Sequence, residues 1–481
     1  MDSLSVMVGR RRLRILAAAV AAVLSLSGCV PPFHHPSPPA AAVQYVPGAD
    51  GLGDALYPKA GNGGYDVGNY DLSVLYDPAT GKLTGQAVIT ATATQNLNRF
   101  DLDFHGLTVG TVNVDDAAAT YTRNGDELVI TPAANLASGR TFVVSVAYSG
   151  VPKPYDEPDL GTDGFLARGN GAIAIGEPEV AASWFPVNDH PRDKATYTIR
   201  ISAPDGLDVL SNGVQQSSQS RNGFTTTTWR VSVPMASYLA TMVIGHYRVV
   251  RSTHDGRPVI TAVATSLPSF IDAQLARTPE VIDFLSSQFG PYPFDSEGGI
   301  VIDEPRVRYA LENQTRPIYG DAFFSPGRDS AWVIAHELAH QWYGDSVSVT
   351  QWQDIWLNEG FATYAEWLWN EHTGSEAVGA AFTRTYNTSD KLWSVPPGKP
   401  ATKSQVFGAS VYDRGAMVLQ ALRVKVGDTA FFQILRDWAA QHRYGNGTTA
   451  QFIALSEKDS GKSLKPLFDA WLFGATKPPL P

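Results

Sequence analysis

The sequence feature that most constrains this chain is a pair of histidines four residues apart within an apolar stretch. His336 and His340 enclose Glu337, and hydrophobic residues flank them on both sides. No proline or glycine interrupts the stretch before Gly344, so it predicts a helix that ends at a glycine cap. Residues four apart lie on one face of a helix, which allows both imidazoles to bind one metal ion.

Glu337 is predicted to lie beside that metal without being required to bind it, because it is about 100° round the helix from His336. A carboxylate in this position can take a proton from a water that the metal activates. The H-E-x-x-H pattern alone is also compatible with a buried helix that carries two hydrogen-bonded histidines. A third ligand elsewhere in the sequence therefore decides between the two interpretations.

The next helical stretch, which begins near Trp352, supplies that ligand. Glu359 follows His340 after 18 intervening residues (341–358), enough for a tight loop and an antiparallel return helix. Two histidines, one glutamate and an open position are a catalytic zinc set, whereas structural zinc sites are closed. We predict one zinc ion per chain. Glu366 lies two turns further on the same face, either as a partner for a ligating histidine or as a solvated carboxylate.

The amino terminus carries the pattern of a bacterial lipoprotein signal. Residues 1–28 combine a basic cluster at 10–14 with an apolar run at 15–26 that is too short to span a bilayer. Cys29 follows Leu-Ser-Gly and is the only cysteine of the chain. The alternative is an ordinary signal peptide followed by an incidental cysteine. We expect an exported protein, anchored through lipidated Cys29 on the outer face of the bacterial cytoplasmic membrane or in the cell envelope.

Length and composition indicate several folded domains. The chain has 481 residues, which exceeds one ordinary hydrophobic core. Residues 29–55, with lipidated Cys29 and many Pro and Ala, are predicted to form a tether. The net charge of −10 argues against nucleic acid as a partner. With a single cysteine, the chain has no intramolecular disulfide and no thiolate set for a metal.

The hydrophobic pattern predicts a multidomain α+β protein. Residues 56–252 alternate apolar and polar positions between Gly-, Asn- and Pro-rich turns, which predicts an N-terminal antiparallel β-sandwich or saddle domain. Helical periodicity dominates residues 253–481, which contain the zinc motif. We therefore place the catalytic domain in this second half.

Several motifs together resemble the gluzincin aminopeptidases related to aminopeptidase N and leukotriene hydrolase (peptidase family M1). Glu359 lies in Trp-Leu-Asn-Glu-Gly-Phe-Ala, and residues 309–313, Tyr-Ala-Leu-Glu-Asn, are similar to the family's Gly-x-Met-Glu-Asn motif. Residues 411–416 resemble the segment that bears the family's catalytic tyrosine, here Tyr412. Glu177 stands where the family has Glu or Gln. The matching positions are spread over roughly residues 65–475.

The resemblance implies a thermolysin-like, mainly helical zinc catalytic domain and hydrolysis of the N-terminal residue of peptides with a free amino terminus. It assigns Glu337 as general base and Tyr412 as donor to the developing oxyanion. Glu312 and Glu177 would bind the substrate's amino group, and the same motif adds two substrate-binding positions, Ala310 and Asn313. Large relatives carry a further helical carboxy-terminal domain, which we expect this chain to lack.

The sequence departs from the family pattern at three positions. Tyr309 replaces the motif's glycine with a bulky ring near the expected path of the substrate backbone, and Leu311 replaces its methionine. Ala182 stands where relatives often have arginine. A zinc endopeptidase of the thermolysin class and a catalytically inactive surface binding protein remain the alternatives to an aminopeptidase.

Overall fold

The first half of the chain builds a broad sheet from strands with alternating hydrophobic residues. The computed structural model describes residues 43–157, 161–388 and 390–481. In Tyr65–Asp77, Leu72 and Val74 are buried while Ser73 and Leu75 are exposed, as a sheet with one solvated face requires. Within the described residues, eight strands pair in the order Val214–Arg221, Phe224–Met235, Ala195–Pro204, Tyr65–Asp77, Lys82–Ala93, Thr141–Gly150, Thr108–Val114 and Ala117–Ala118.

One pairing in this sheet differs from the predicted antiparallel arrangement. Tyr65–Asp77 runs parallel to Ala195–Pro204, with Leu72 beside Ile199, whereas the neighbouring pairs are antiparallel. Parallel neighbours need a long crossover connection, and strand patterning does not reveal which distant strands will meet.

Two smaller sheets complete the strand-rich half. One has the order Val46–Pro47, Leu97–Asp103, Glu127–Thr131 and Thr120–Asn124, and the other has the order Tyr155–Glu157, Gly161–Arg168, Gly171–Ile175, Met242–Gly245 and Asp208–Ser211. Strand Gly171–Ile175 is buried along its whole length. Glu177 therefore begins a loop anchored at its start by a buried strand.

A mixed sheet opens the second half. Its order is Tyr247–His254, Arg257–Ala264, Glu297–Ile302, Ile318–Gly320 and Ala310–Leu311. The hairpin that starts at Tyr247 pairs with Glu297–Ile302, so this sheet begins a few residues before the predicted boundary at 252. The strand Ala310–Leu311 lies at the sheet edge, so one side of its backbone has no neighbouring strand among the residues that the structure describes.

Helices make up most of the remaining second half. The described residues form α1 (Phe270–Leu275), α2 (Thr278–Phe289), α3 (Ala331–Ala339), α4 (Trp356–Thr373), α5 (Val378–Tyr386), α6 (Lys403–Val406), α7 (Gly415–Val426), α8 (Asp428–Gln441), α9 (Thr449–Ser460) and α10 (Lys465–Trp471). The helix α3 contains His336 and ends next to His340, and α4 is the predicted return helix.

The predicted end of the zinc-motif helix at Gly344 is wrong, because α3 ends at Ala339. The N–H groups of Gln341 and Trp342 bond to carbonyls only three residues back, which tightens the chain into a turn. This turn brings the Tyr343 carbonyl back to the His340 ring.

Buried polar contacts hold the strand-rich and helical halves together within the unit that spans Gln44–Pro481. Lys194, beside the broad sheet, donates to the carbonyls of Asp345 at 2.7 Å and Ser346 at 3.1 Å. Asp54, within the segment predicted as tether, is 3% exposed and accepts the N–H of Trp352 at 2.7 Å. Residues 1–42, including Cys29, lie outside the described residues.

Helices α4 and α7 approach each other through two glycines, Gly360 and Gly415. A Cβ on Gly360 would lie 2.9 Å from the Gly415 Cα, a distance that requires the helices to move apart. We expect Gly360→Ala to destabilise the protein by about 1–3 kcal/mol through overpacking. Gly379 in α5 is the matched control, because no atom lies within 4 Å of a Cβ built there. Calorimetry should show a lower unfolding temperature for Gly360→Ala and an equal or higher one for Gly379→Ala; equal behaviour of the two variants would contradict the close-contact argument.

Candidate active site

Three buried side chains from α3, its C-terminal turn and α4 converge at one point. The Glu359 Oε2 atom lies 3.3 Å from His336 Nε2 and 3.4 Å from His340 Nε2. One ligand atom from each of these residues lies within 4.8 Å of the others. The i, i+4 spacing sets the two imidazoles side by side, and the antiparallel return of α4 brings the carboxylate to them.

The electrostatics of this cluster suit a cation. Burial opposes charge on the His340 ring, but Glu359 raises its pKa above the usual value. Burial also acts to raise the pKa of Glu359, yet the two histidines lower it below the usual value. The carboxylate therefore favours positive charge between these side chains, and a divalent ion can take the place of the protons. Two neutral imidazoles and a carboxylate are a donor set that fits zinc.

Each histidine is oriented by a second hydrogen bond. His336 Nδ1 lies 2.6 Å from Glu366 Oε1, and His340 Nδ1 lies 3.0 Å from the Tyr343 carbonyl. Such partners fix the ring orientation and leave Nε2 for the metal. Glu366 thus forms the hydrogen bond to His336 that the first of its two predicted roles requires. The Tyr343 carbonyl could not be predicted, because a backbone acceptor leaves no signature in the side-chain sequence.

Glu337 faces the same space from α3. One of its carboxylate oxygens lies within 4.8 Å of ligand atoms of Glu312 and His340. Burial raises the pKa of Glu337 to about 8, although the neighbouring histidines act in the opposite direction. The group can therefore gain and lose a proton near neutral pH, as a general base that later acts as an acid must.

Tyr412 lies on the other side of His336, in a π-helical turn, Ser410–Arg414, that precedes α7. Its ring stacks on the His336 ring with centroids 6.1 Å apart and planes 14° apart. Burial and the nearby carboxylates, Glu359 foremost, raise the pKa of Tyr412 well above its usual value. The hydroxyl therefore stays protonated and can donate a hydrogen bond into the cavity.

Two further carboxylates, Glu312 and Glu177, line the cavity beside the cluster. Glu312 is 2% exposed and accepts the Tyr238 hydroxyl at 2.7 Å, while the buried Oε1 of Glu177 has no hydrogen-bond partner within the part of the chain that the structure describes. Burial, and then Glu312, raise the pKa of Glu177 well above its usual value. Tyr238 was missed from the sequence, because nothing in its strand-rich surroundings marks it as a partner of Glu312.

The remaining motif positions are divided between the cavity and the interior. Ala310 lines the cavity of about 450 Å³. Asn313 does not line it: the residue is fully buried, and its amide donates to the Leu239 carbonyl at 2.9 Å. The predicted contact between Asn313 and substrate is therefore not supported. Asn313 instead positions the motif, because its side chain hydrogen-bonds to the strand-rich half.

Tyr309, the departure from the motif glycine, lines the cavity, and its hydroxyl donates to Asp163. The ring is thus held by the strand-rich half. Asp163 is 6% exposed and was not predicted from the sequence. Ala182 lies buried in the short 3-10 helix Ala181–Ser183, where its N–H bonds to Asp189.

Comparisons with known proteins agree with this arrangement. The peptidase M1 N-terminal domain matches residues 67–239, and the peptidase family M1 domain matches residues 274–471. Glutamyl aminopeptidase from Sus scrofa is 29% identical over 317 residues, 61% of this chain and 34% of that protein. Aminopeptidase N from Streptomyces lividans is 30% identical over 314 residues, 59% of this chain and 36% of that protein. The chain spans between a third and a half of the length of such curated relatives.

A solved structure matches over almost its whole length. The M1 zinc metallopeptidase from Deinococcus radiodurans superposes with a TM-score of 0.82 at 30% identity, covering 90% of this chain and 99% of that one. The order of a strand-rich half followed by a helical half confirms the predicted α+β fold class. On the combined agreement of both domains, the zinc ligand set and this neighbour, the chain belongs to peptidase family M1.

Proposed function

We propose that this protein is a zinc-dependent aminopeptidase that hydrolyses the N-terminal residue from peptides. The observation that carries the proposal is the pair of buried carboxylates, Glu177 and Glu312, next to the His336–His340–Glu359 cluster. Within residues 43–157, 161–388 and 390–481, neither carboxylate has an ion-pair partner. A free α-amino group of a substrate would provide the missing positive charge.

The proposed reaction assigns one task to each side chain. His336, His340 and Glu359 would hold a zinc ion, which when bound would supply Lewis-acid chemistry to a carbonyl and to water. Glu337 takes the proton of the attacking water and later delivers it to the leaving amine. The Tyr412 hydroxyl donates a hydrogen bond to the oxygen on which negative charge develops, so it favours the transition state over the ground state.

Glu177 and Glu312, which we call the amino anchor, explain where the peptide is cut. Glu177 and Glu312 would hold the charged terminus beside the metal, so the first peptide bond is the one that reaches Glu337 and Tyr412. A peptide with a blocked terminus leaves both carboxylates without a cation, which costs binding energy in a buried site. The edge strand Ala310–Leu311 can pair with the substrate backbone, as in other peptide complexes. The Deinococcus radiodurans neighbour has been crystallised with a Tyr-Ser-Ala substrate, which supports a peptide in this cavity.

The test compares free and blocked amino termini. We expect aminoacyl anilides and unblocked peptides to be cleaved, N-acetylated analogues to be cleaved at least about tenfold more slowly, and a chelator to stop the reaction. Mass spectrometry of peptide products shows whether single residues are released in order. Equal cleavage of blocked peptides at internal bonds would identify an endopeptidase, and a zinc-loaded protein without turnover would identify a binding protein.

Replacing Tyr412 by phenylalanine tests the oxyanion donor. We expect Tyr412→Phe to lower kcat by about 10²–10³-fold, because one hydrogen bond to developing charge is lost. KM should change little, since the aromatic ring that stacks on His336 remains. Tyr121→Phe, at an exposed tyrosine of the strand-rich half, is the matched control and should retain full activity. A large rise in KM at unchanged kcat would assign Tyr412 to substrate binding instead.

We also propose that the protein is exported and anchored in the cell envelope through lipidated Cys29. The support is the sequence pattern of residues 1–29, because this segment lies outside the described residues. Among the described residues, no helix has the length and apolarity needed to cross a bilayer. We expect Cys29→Ser to move activity from the membrane fraction to the soluble fraction. Wild-type protein that is soluble and carries no acyl chain by mass spectrometry would contradict the anchor.

A further inference from the structure

A second cavity lies beside the active-site cavity and shares part of its wall. Its volume is about 420 Å³, and Asp163 and Glu177 line both cavities. We call it the acidic chamber, bounded by Glu127, Asp163, Glu177 and Lys403. Among the described residues, seven carboxylates and two lysines line it. The chamber is therefore rich in carboxyl groups, and burial raises the pKa of several of them, including Asp103, Glu127 and Asp163; it lies next to the proposed amino anchor.

Of the two lysines of the chamber, one pairs with a residue outside it and the other lies beside Glu179, a carboxylate of the chamber itself. Lys59 pairs with Asp50. Lys403 lies 3.8 Å from Glu179, and its ammonium group lies 4.5 Å from the ring centroid of Tyr57. Neither lysine forms an ion pair with Glu127, Asp163 or Glu177 among the described residues.

Glu127 presents an acceptor that suits a cation. It is 7% exposed, it lines the chamber, and its buried Oε2 has no hydrogen-bond partner among the described residues. Burial, and then Asp101, raise the pKa of Glu127 to about 7. The buried Oε1 of Glu177, on the wall shared with the active site, likewise has no hydrogen-bond partner in the described ranges. A buried acceptor without a partner is costly, so a positively charged ligand would gain binding energy here.

The arrangement favours an organic cation over a metal ion. Among the described residues, no group of three His, Cys, Asp or Glu ligands comes together within the chamber, whereas such a group does form at His336, His340 and Glu359. The chamber carboxylates are spread along a cavity, which suits an ammonium or guanidinium group on a long side chain. Asp163 lines both cavities, and one of its oxygens accepts the Tyr309 hydroxyl.

The position of the acidic chamber relative to the amino anchor indicates which side chain of a substrate can enter the chamber. If Glu177 holds the α-amino group, the side chain of the same residue departs from a Cα beside Glu177. Asp163 shares this wall, so a long side chain that leaves the active-site cavity past Asp163 enters the acidic chamber.

We propose that the acidic chamber selects substrates whose first residue is lysine or arginine, with Asp163 and Glu127 as specificity-determining residues. This inference rests on the aminopeptidase activity proposed above. The charged end of the side chain meets Asp163 first and Glu127 deeper in the chamber. Charge-assisted hydrogen bonds to carboxylates are stronger than neutral ones, which gives basic residues the advantage.

The experiment measures kcat/KM for pairs of substrates of equal shape and different charge. Lysine is compared with norleucine and arginine with citrulline, each as an aminoacyl anilide, and glutamate serves as the oppositely charged probe. We expect the wild-type enzyme to prefer lysine over norleucine by at least about tenfold, the value of one hydrogen bond to a charged group. The glutamyl substrate should be the poorest of the series.

Two variants, each of which replaces a carboxylate by a neutral amide, then test which residues cause the preference for lysine. Asp163→Asn and Glu127→Gln keep the side-chain shape, and the amide introduced by Asp163→Asn still offers an oxygen to the Tyr309 hydroxyl. Each variant should reduce the lysine-to-norleucine ratio several-fold, and the double variant should bring it close to one. Asp116→Asn is the matched control, because Asp116 is an exposed turn residue with a φ of 63° that asparagine accepts readily. Its ratio should equal that of the wild-type enzyme.

The outcomes separate this inference from the proposed function. If no aminoacyl anilide is hydrolysed by the zinc-loaded enzyme, the aminopeptidase proposal fails. If norleucine and lysine substrates are hydrolysed equally well, aminopeptidase activity stands and the acidic chamber has no role in selectivity. A lysine preference that survives both substitutions would likewise overturn the assignment to Asp163 and Glu127. Thermal unfolding of each variant shows that a lost preference does not reflect a lost fold.

Discussion

Replacing Glu337 by glutamine is expected to abolish turnover while zinc stays bound. The substitution keeps the shape of the side chain and removes the group that accepts the proton of the attacking water, so kcat should fall by about 10³-fold or more. Because His336, His340 and Glu359 are untouched, metal analysis should still find stoichiometric zinc. Burial already disfavours the charged form of Glu337, whose pKa it raises to about 8, so the neutral amide should not destabilise the fold.

The matched control for this experiment is Glu280→Gln. Glu280 lies in α2, is 55% exposed on its side chain and pairs with Arg277 at 2.9 Å. Exposed ion pairs contribute little stability, so both activity and unfolding temperature should stay near the wild-type values. Residual activity of Glu337→Gln above about one tenth of the wild-type level would show that another group acts as the base.

Replacing His340 by alanine is expected to remove both the metal and the stability that the metal confers. With one of three protein ligands lost, zinc content should fall far below one ion per chain after dialysis. An ion present at 100 times its dissociation constant stabilises the folded state by about 2.7 kcal/mol. A chelator should therefore lower the unfolding temperature of the wild-type protein and leave that of His340→Ala unchanged.

His246→Ala provides the control for a lost histidine. His246 is exposed and contacts Asn170 at 3.0 Å, on the wall of a different cavity. This variant should retain zinc, activity and the response to chelator. If His340→Ala still bound zinc stoichiometrically and responded to chelator as the wild-type protein does, the ligand assignment would be wrong.

The parts of the site that could be predicted depend on spacing along one helix or between adjacent helices. His336 and His340 share a face because they are four residues apart, and Glu366 follows Glu359 by two turns. The distance from Glu359 Oε2 to the two imidazoles, 3.3 and 3.4 Å, is the result of that local geometry and of the connection between α3 and α4, residues 340–355. Helical periodicity is set by backbone hydrogen bonds, so the sequence alone carries this information.

Other predictions depended on resemblance to a family, and the structure shows which of the predicted residues line the active-site cavity. Glu312 and Glu177 come from halves of the chain more than a hundred residues apart, yet both line the active-site cavity. Asn313, in the same motif as Glu312, is turned into the interior as a partner of Leu239. A motif fixes which residues occur together, but the packing around them decides which of them face the substrate.

Taken by itself, the sequence determined the candidate zinc ligands, the candidate general base, the strand-rich and helical halves and the order in which they follow. Tertiary structure alone decided the parallel pairing of Tyr65–Asp77 with Ala195–Pro204, the early end of α3 and the contacts of Tyr238 with Glu312 and Tyr309 with Asp163. It also created the acidic chamber, whose walls come from several strands and loops. The physical reason is the separation along the sequence over which each effect acts. Backbone periodicity acts over a few residues, whereas these contacts arise only when distant segments pack together and exclude water.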